Sequence, residues 1–117
     1  REQFGRKLMD FQITRQKLAE MGTKIEAARL MTYQAAWQFE NNRRGSEKIA
    51  AMAKLHACRT AVEVTDEVIQ LLGGYGYMLE YEVERYFRDA KVEDMFDGTP
   101  LVQKNIIAAE LVKGKRI

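Results

Sequence analysis

No proline interrupts this chain before Pro100, and two long stretches, Gln12 to about Asn41 and about Ser46 to Leu72, repeat apolar residues at helical spacing. In the first, Leu18, Met21, Ile25, Ala28, Ala35 and Phe39 follow steps of three, four and seven, which predicts one buried helix face. Leu30, Tyr33 and Trp37 form a second stripe, so this helix is expected to be covered on two sides. In the second stretch Ile49, Ala53, Ala57, Ala61, Val64, Val68 and Leu71 share a flank. Its alanines, Ala50 and Ala51 included, would let neighbouring backbones approach closely. Asn41-Asn42-Arg43-Arg44-Gly45-Ser46 separates the two helices, with Gly45 as the stop and Ser46 as the N-cap.

Gly73-Gly74-Tyr75-Gly76-Tyr77 ends the second helix. A short third helix, roughly Glu82 to Lys91, is expected to turn Val83, Tyr86 and Phe87 inward. A connector from Val92 to Gly98 precedes a last helix from about Pro100 to Val112. Its expected buried face is Val102, Ile106, Ala109 and Leu111 or Val112, with Gly114 as its stop. Val and Ile do not alternate with polar residues, which argues against a sheet. The expectation is one all-α domain over residues 1–117, an up-down helical bundle.

The 117 residues carry 19 basic and 17 acidic side chains, well mixed, for a net charge of +2. Apart from the tail Lys113-Gly114-Lys115-Arg116 there is no basic stripe, so no nucleic-acid partner is expected. Cys58 is the only cysteine, which excludes an internal disulfide and suggests a reducing compartment. It reads as a packing residue, and His56, with no second metal-type ligand at useful spacing, as a packed, hydrogen-bonded histidine. No run approaches the roughly 20 apolar residues of a membrane span, and the N-terminus lacks signal-peptide character. A soluble, intracellular chain that is not secreted is the expectation.

Three segments could carry chemistry. In Phe96-Asp97-Gly98-Thr99-Pro100, Thr99 and Pro100 read as the N-cap and first residue of a helix. Its free N–H groups and partial positive charge would face an anionic ligand, with the Asp97 carboxylate just outside as a possible base. The plain alternative is a capped helix start with an acidic neighbour. In Gln70-Leu71-Leu72-Gly73-Gly74-Tyr75-Gly76-Tyr77 the glycines could admit a ligand to the backbone, or merely end a helix. The cluster follows a helix rather than a strand, so it is not a Rossmann fingerprint. Arg1-Glu2-Gln3-Phe4-Gly5-Arg6 means little by itself.

Taken in order, these segments resemble the acyl-CoA dehydrogenase family. Arg1-Glu2-Gln3-Phe4-Gly5-Arg6 with Gln12 resembles the family's Arg-x-x-Phe-Gly-Lys segment and the Gln beyond it. Gln70 to Tyr77 is similar to its Gln-x-x-Gly-Gly-x-Gly-aromatic turn. Arg88-Asp89-Ala90-Lys91 and Phe96-Asp97-Gly98-Thr99 resemble its Arg-Asp-Ala-Lys run and Glu-Gly-Thr base loop. The likeness extends over nearly the whole chain.

The resemblance implies FAD-dependent oxidation of an acyl-CoA thioester to the trans-2-enoyl-CoA, a carboxylate taking the α-proton and FAD the β-hydride. Electrons would pass to electron-transferring flavoprotein. Asp97 falls at the position of the catalytic glutamate, Gly98 against the thioester and Thr99 near the flavin. Arg1, Gln12, Gln70 and Gly74 match positions that hold the FAD diphosphate and adenosine, commonly of the neighbouring subunit, which implies a homodimer or homotetramer. Bacterial cytoplasm or mitochondrial matrix would be the compartment.

Asp97 departs from the family pattern, drawing the carboxylate back by roughly 1.5 Å relative to Glu. A cyclic or bulky acyl group seated deeper would meet it, and a base on an earlier helix is the alternative. Leu101 also departs, standing where several relatives have a cofactor-contacting Gln. The resemblance further implies that the chain starts after the first helix of a four-helix domain. The 117 residues alone are therefore expected to be inactive, to expose an apolar stripe and to self-associate. An acyl-CoA oxidase and a non-catalytic assembly bundle are the competing readings.

Overall fold

The computed structural model describes residues 1–42 and 44–113. A two-residue hairpin opens the chain, β1 (Glu2–Gln3) pairing antiparallel with β2 (Arg6–Lys7). Phe4 and Gly5 connect them at φ 55° and 75°, the paired left-handed conformation that suits the twist of a two-residue hairpin loop. No sheet was expected from the pattern of apolar residues, and this short ladder is the single strand pairing among the described residues.

The helices are α1 (Gln12–Asn41), α2 (Ser46–Leu72), α3 (Val83–Glu93) and α4 (Pro100–Lys113). Single 3-10 turns at Leu8–Asp10, Gly73–Tyr77 and Leu79–Tyr81 join them. The all-α bundle is as the sequence predicts. α2 is its hub, packed by α1, α3 and α4. α1 and α2 run antiparallel, since Lys17 pairs with Glu67 while Lys24, further along α1, pairs with Glu63 at 2.7 Å. The molecule is elongated, 62 × 28 × 26 Å, as expected when a helix of about 30 residues spans some 45 Å. Among the described residues no helix is long and apolar enough to cross a membrane.

The inward faces depart from expectation in several places. Thr14, Met21 and Ala28, seven residues apart, are the buried positions of α1, with Ala35 half-buried. A seven-residue step marks a coiled-coil-like helix–helix seam. Leu18, Ile25 and Phe39 lie off that seam and stay exposed, as do Leu30, Tyr33 and Trp37, the last two at 64% each. Within these residues α1 is thus covered on one side, and Leu30, Tyr33 and Trp37 form the exposed apolar stripe expected of the 117 residues alone. On α3 the inward row is Val83, Phe87 and Ala90, and Tyr86, one step round the helix, is exposed. On α4, Gln103 is buried with Ile106, Ile107 and Glu110 beside it, whereas Val102, Ala109, Leu111 and Val112 face outward. The buried apolar residues are mostly small: Ala28, Ala51, Ala53 and Ala90 beside Met21 and Val83. α2 therefore approaches its neighbours closely.

Asn42, not Gly45, caps the end of α1, its N–H donating to the Gln38 carbonyl at 2.8 Å. Gly45, at φ 86°, is the residue that enters α2, and Ser46 is already helical and buried. Gly114, the expected stop of α4, and the basic tail beyond Lys113 lie outside the described residues, as does Arg43. His56 is packed as expected but not fully satisfied: its Nε2 is buried and meets no hydrogen-bond partner among the described residues. Met31, Met52, Leu55, Arg59 and Ile107 line the mostly apolar crevice beside it. Cys58 is half-buried, with Lys54 Nζ 3.7 Å from its Sγ.

Candidate functional site

The singled-out residues fall into two groups near opposite ends of α2. The first group is the connector between α3 and α4. The carbonyl of Val92 accepts the N–H groups of Met95 and Phe96 at 2.9 and 3.1 Å, carrying the chain out of α3. Asp97 then adopts φ 49° and Gly98 φ 97°. Asp is among the few residues with a side chain that tolerate the left-handed region, and two such residues in succession reverse the chain sharply. Thr99 ends the reversal, its carbonyl accepting the Gln103 N–H at 3.0 Å. That is the first bond of α4, which makes Thr99 the N-cap and Pro100 the first helical residue, as predicted.

Two side chains that sequence reasoning missed hold this connector. Lys54 of α2 donates to the Glu93 carbonyl at 3.0 Å and lies 5.6 Å from the centre of the Phe96 ring. Gln103, only 8% exposed, donates its Nε2 hydrogen to the Gly98 carbonyl at 3.1 Å. A Cβ on Gly98 would run into that same amide. The Asp97 carboxylate is exposed and makes no hydrogen bond or ion pair with the described residues. An open carboxylate beside the N-terminal turn of a helix, where N–H groups lack helical partners, can accept a proton next to a bound anion.

The second group surrounds the C-terminal end of α2. Arg1 donates through Nη1 to the Leu72 carbonyl at 2.6 Å, and its guanidinium lies against Gly73, which turns out of the helix at φ 61°. Arg1, Gln70 and Gly73 border a groove of about 520 Å³ whose other walls include Phe4, Phe11 and Ile13. Gln12, exposed at the start of α1, stands between the last two. The glycines of the turn have different reasons to be glycine. A Cβ at Gly76 would come within 2.8 Å of the Ile69 backbone, and one at Gly73 would strike Arg1. A Cβ at Gly74 would meet nothing within 4 Å. Gly74 is exposed and its small size answers to no neighbour in this fold.

Arg1, Gln12, Gln70 and Gly74 are therefore gathered at one end, and Asp97, Gly98 and Thr99 sit near the other. Lys54, beside the connector that carries Asp97, precedes Gln70 by sixteen residues of α2, a rise of roughly 24 Å. The groove fits a phosphate-bearing cofactor in its donor set. One Arg1 N–H is spent on Leu72 and the remaining guanidinium donors are left for an anion. Gln70 lines the groove as well, whereas Gln12 and Gly74 adjoin its lining residues in sequence.

Known proteins resemble this chain over nearly its whole length. The family model "Acyl-CoA dehydrogenase, C-terminal domain" matches residues 1–112. The cyclohexane-1-carbonyl-CoA dehydrogenase of Geobacter metallireducens is 44% identical over 113 residues, 97% of this chain and 30% of that protein. The caffeyl-CoA reductase-Etf complex subunit CarC of Acetobacterium woodii is 42% identical over 113 residues, with the same shares. Butyryl-CoA dehydrogenase from Megasphaera elsdenii superposes with a TM-score of 0.91 at 42% identity, covering 96% of this chain and 29% of that one. The chain thus spans about 30% of the length of the curated relatives it matches.

Proposed function

Since this chain belongs to the acyl-CoA dehydrogenase family, we propose that it is the C-terminal helical part of an FAD-dependent enzyme that oxidises an acyl-CoA thioester to the trans-2-enoyl-CoA. Asp97 is the base that takes the α-proton. The observation that carries this is the exposed, unpaired carboxylate of Asp97 on a left-handed turn at the mouth of α4. Gly98, without a side chain, lets the thioester approach the backbone, and the Thr99 hydroxyl borders the flavin. FAD, when bound, supplies the acceptor for the β-hydrogen and its electron pair.

Arg1 would hold the FAD diphosphate through its free guanidinium donors, with Gln12 and Gln70 on the adenosine side and Gly74 admitting the cofactor to the backbone. The rise of roughly 24 Å along α2 between Gln70 and Lys54, which braces the connector before Asp97, supports a further step. One copy of the domain would serve the flavin end of its own cofactor and the diphosphate end of a neighbour's, so a homodimer or homotetramer is the working form. The name of the A. woodii relative, a subunit of an Etf complex, supports electron-transferring flavoprotein as the redox partner. Bacterial cytoplasm or mitochondrial matrix would then be the compartment.

The short reach of Asp97 favours a cyclic or otherwise bulky acyl group that sits deeper against the turn. The G. metallireducens relative, named for cyclohexane-1-carbonyl-CoA, supports that substrate class. The test is anaerobic bleaching of the flavin in the full-length enzyme by a panel of acyl-CoAs, wild type beside Asp97→Asn. Bleaching by cyclic thioesters that is lost in the variant is the expected result. Bleaching that survives the substitution would move the base to another residue.

A further inference from the structure

We propose that Gln103 is a positioning residue for the base loop, holding the Gly98 peptide and through it the direction of the Asp97 carboxylate. The catalytic part of this inference rests on Asp97 being the base; the mechanical part does not.

Gln103 is the one buried residue of α4 among those described, on a helix whose Val102, Leu111 and Val112 face outward. Hydrophobicity cannot explain that choice, because burying an amide is unfavourable unless it is hydrogen-bonded. Its bond is to the Gly98 carbonyl. The same residue donates its backbone N–H to the Thr99 carbonyl. One residue thus ties down two successive carbonyls, those that close the left-handed pair Asp97–Gly98.

The pair needs such a restraint. A side-chain-bearing residue at positive φ is strained, and glycine at φ 97° has many alternative conformations. No partner among the described residues holds the Asp97 carboxylate itself. The backbone of the turn sets the direction of its Cα–Cβ bond and so the region its carboxylate can reach, and Gln103 is the side chain that holds the turn. Lys54 acts further back, at Glu93 and Phe96, and does not reach Gly98. A misplacement of about 1 Å at a reacting group is enough for a loss of about a hundredfold in rate.

The experiment uses the full-length enzyme with its FAD and compares wild type, Gln103→Met, Gln103→Glu, Asp97→Asn and, as an exposed control on α4, Lys104→Met. Met keeps the length of Gln without the amide; Glu keeps its shape without the donor, and stands in if the Met variant does not fold. Two quantities are read: hydrogen exchange of the peptide spanning residues 95–99, and the flavin-reduction rate constant as a function of acyl-CoA concentration. Loss of the Gln103 bond should speed exchange in that peptide about tenfold and leave other segments as they were. The limiting reduction rate should fall about a hundredfold while half-saturation moves less than about threefold. Lys104→Met should change neither. Unchanged exchange in both Gln103 variants overturns the inference outright. Faster exchange with an unchanged rate, while Asp97→Asn is dead, overturns the positioning role and leaves Asp97 as base. If Asp97→Asn reduces flavin as wild type does, it is the base assignment that fails, and the catalytic part of the inference fails with it.

Discussion

Lys54 Nζ donates to the carbonyl of Glu93 at 3.0 Å, a bond between the middle of one helix and the last turn of another. A cation at a helix C-terminus satisfies a carbonyl that has no helical partner and opposes the partial negative charge there. The same ammonium group lies near the Phe96 ring, so Lys54 secures the start of the connector that carries Asp97. Replacing Lys54 with Met keeps the aliphatic stem and removes both contacts together with the one to Cys58 Sγ. The expected loss is about 1–2 kcal/mol of unfolding free energy, read as a lower urea midpoint with an unchanged m-value. An unchanged midpoint would mean that solvent satisfies Glu93 equally well.

The helices themselves were legible in the sequence because their signals are long and redundant. Gln12–Asn41 and Ser46–Leu72 carry many apolar repeats without a proline, and the glycine turn and the Thr99-Pro100 cap punctuate the rest of the chain. The inward faces were less legible. An apolar stripe such as Leu30, Tyr33 and Trp37 looks the same in sequence whether or not anything covers it. Val102, Leu111 and Val112 outvoted Gln103 for the same reason, although the structure turns Gln103 inward. Gln103 left one signal, a polar residue four positions after an N-cap, too common to be selective. The Asp97–Thr99 turn was found through its likeness to a known motif, whereas its braces, Lys54 and Gln103, are contacts across the fold that no local pattern encodes.

Two glycines of the turn after α2, Gly76 and Gly74, and Gly98 before α4 should respond differently to alanine. At Gly76 the clash is with the Ile69 backbone, which cannot move aside without breaking α2. A loss of about 3 kcal/mol or more is expected. Gly98→Ala combines a left-handed backbone with a clash against the Gln103 amide, whose side chain can give way, so about 2 kcal/mol is expected. Gly74→Ala meets open space and should leave stability within about 0.5 kcal/mol. In the full-length enzyme the same Gly74→Ala should weaken FAD retention. Thermal unfolding and flavin content, measured on one set of variants, check both statements. Equal FAD retention in Gly74→Ala would remove Gly74 from the cofactor site.

His56 offers a substitution expected to stabilise. A buried ring nitrogen without a partner carries its desolvation cost uncompensated, about 1–3 kcal/mol. Met31, Met52, Leu55 and Ile107 offer it apolar contact, and Arg59, the one other residue around the crevice, is exposed to solvent and makes no bond to it. His56→Met supplies an apolar, adaptable side chain for that crevice. Its melting temperature should be equal to or above that of the wild type. A clear fall would show that the imidazole has a partner the described residues do not contain.

The cross-helix pair Lys24–Glu63 sets a pH dependence whose sign can be worked out for each partner. The hydrogen bond from Lys24, and then its charge, hold the Glu63 carboxyl below its ordinary value. A lowered carboxylate contributes stability above its ordinary pKa and loses it as pH falls through the depressed folded value. The hydrogen bond to Glu63, followed by its charge, raises Lys24 above its ordinary 10.5. A raised lysine contributes below that ordinary value and loses its contribution as pH rises through the folded one. The coupling between the two should therefore be present across the neutral range and vanish at both acid and strongly alkaline pH. Both groups are well exposed, so the effect should be small and should shrink with added salt. A double-mutant cycle of Lys24→Met and Glu63→Gln, followed by melting temperature from acid to neutral pH at low and high salt, measures it. Coupling that persists in acid, where Glu63 is protonated, would show that the two helices are held there by packing between the side-chain stems and not by the ion pair.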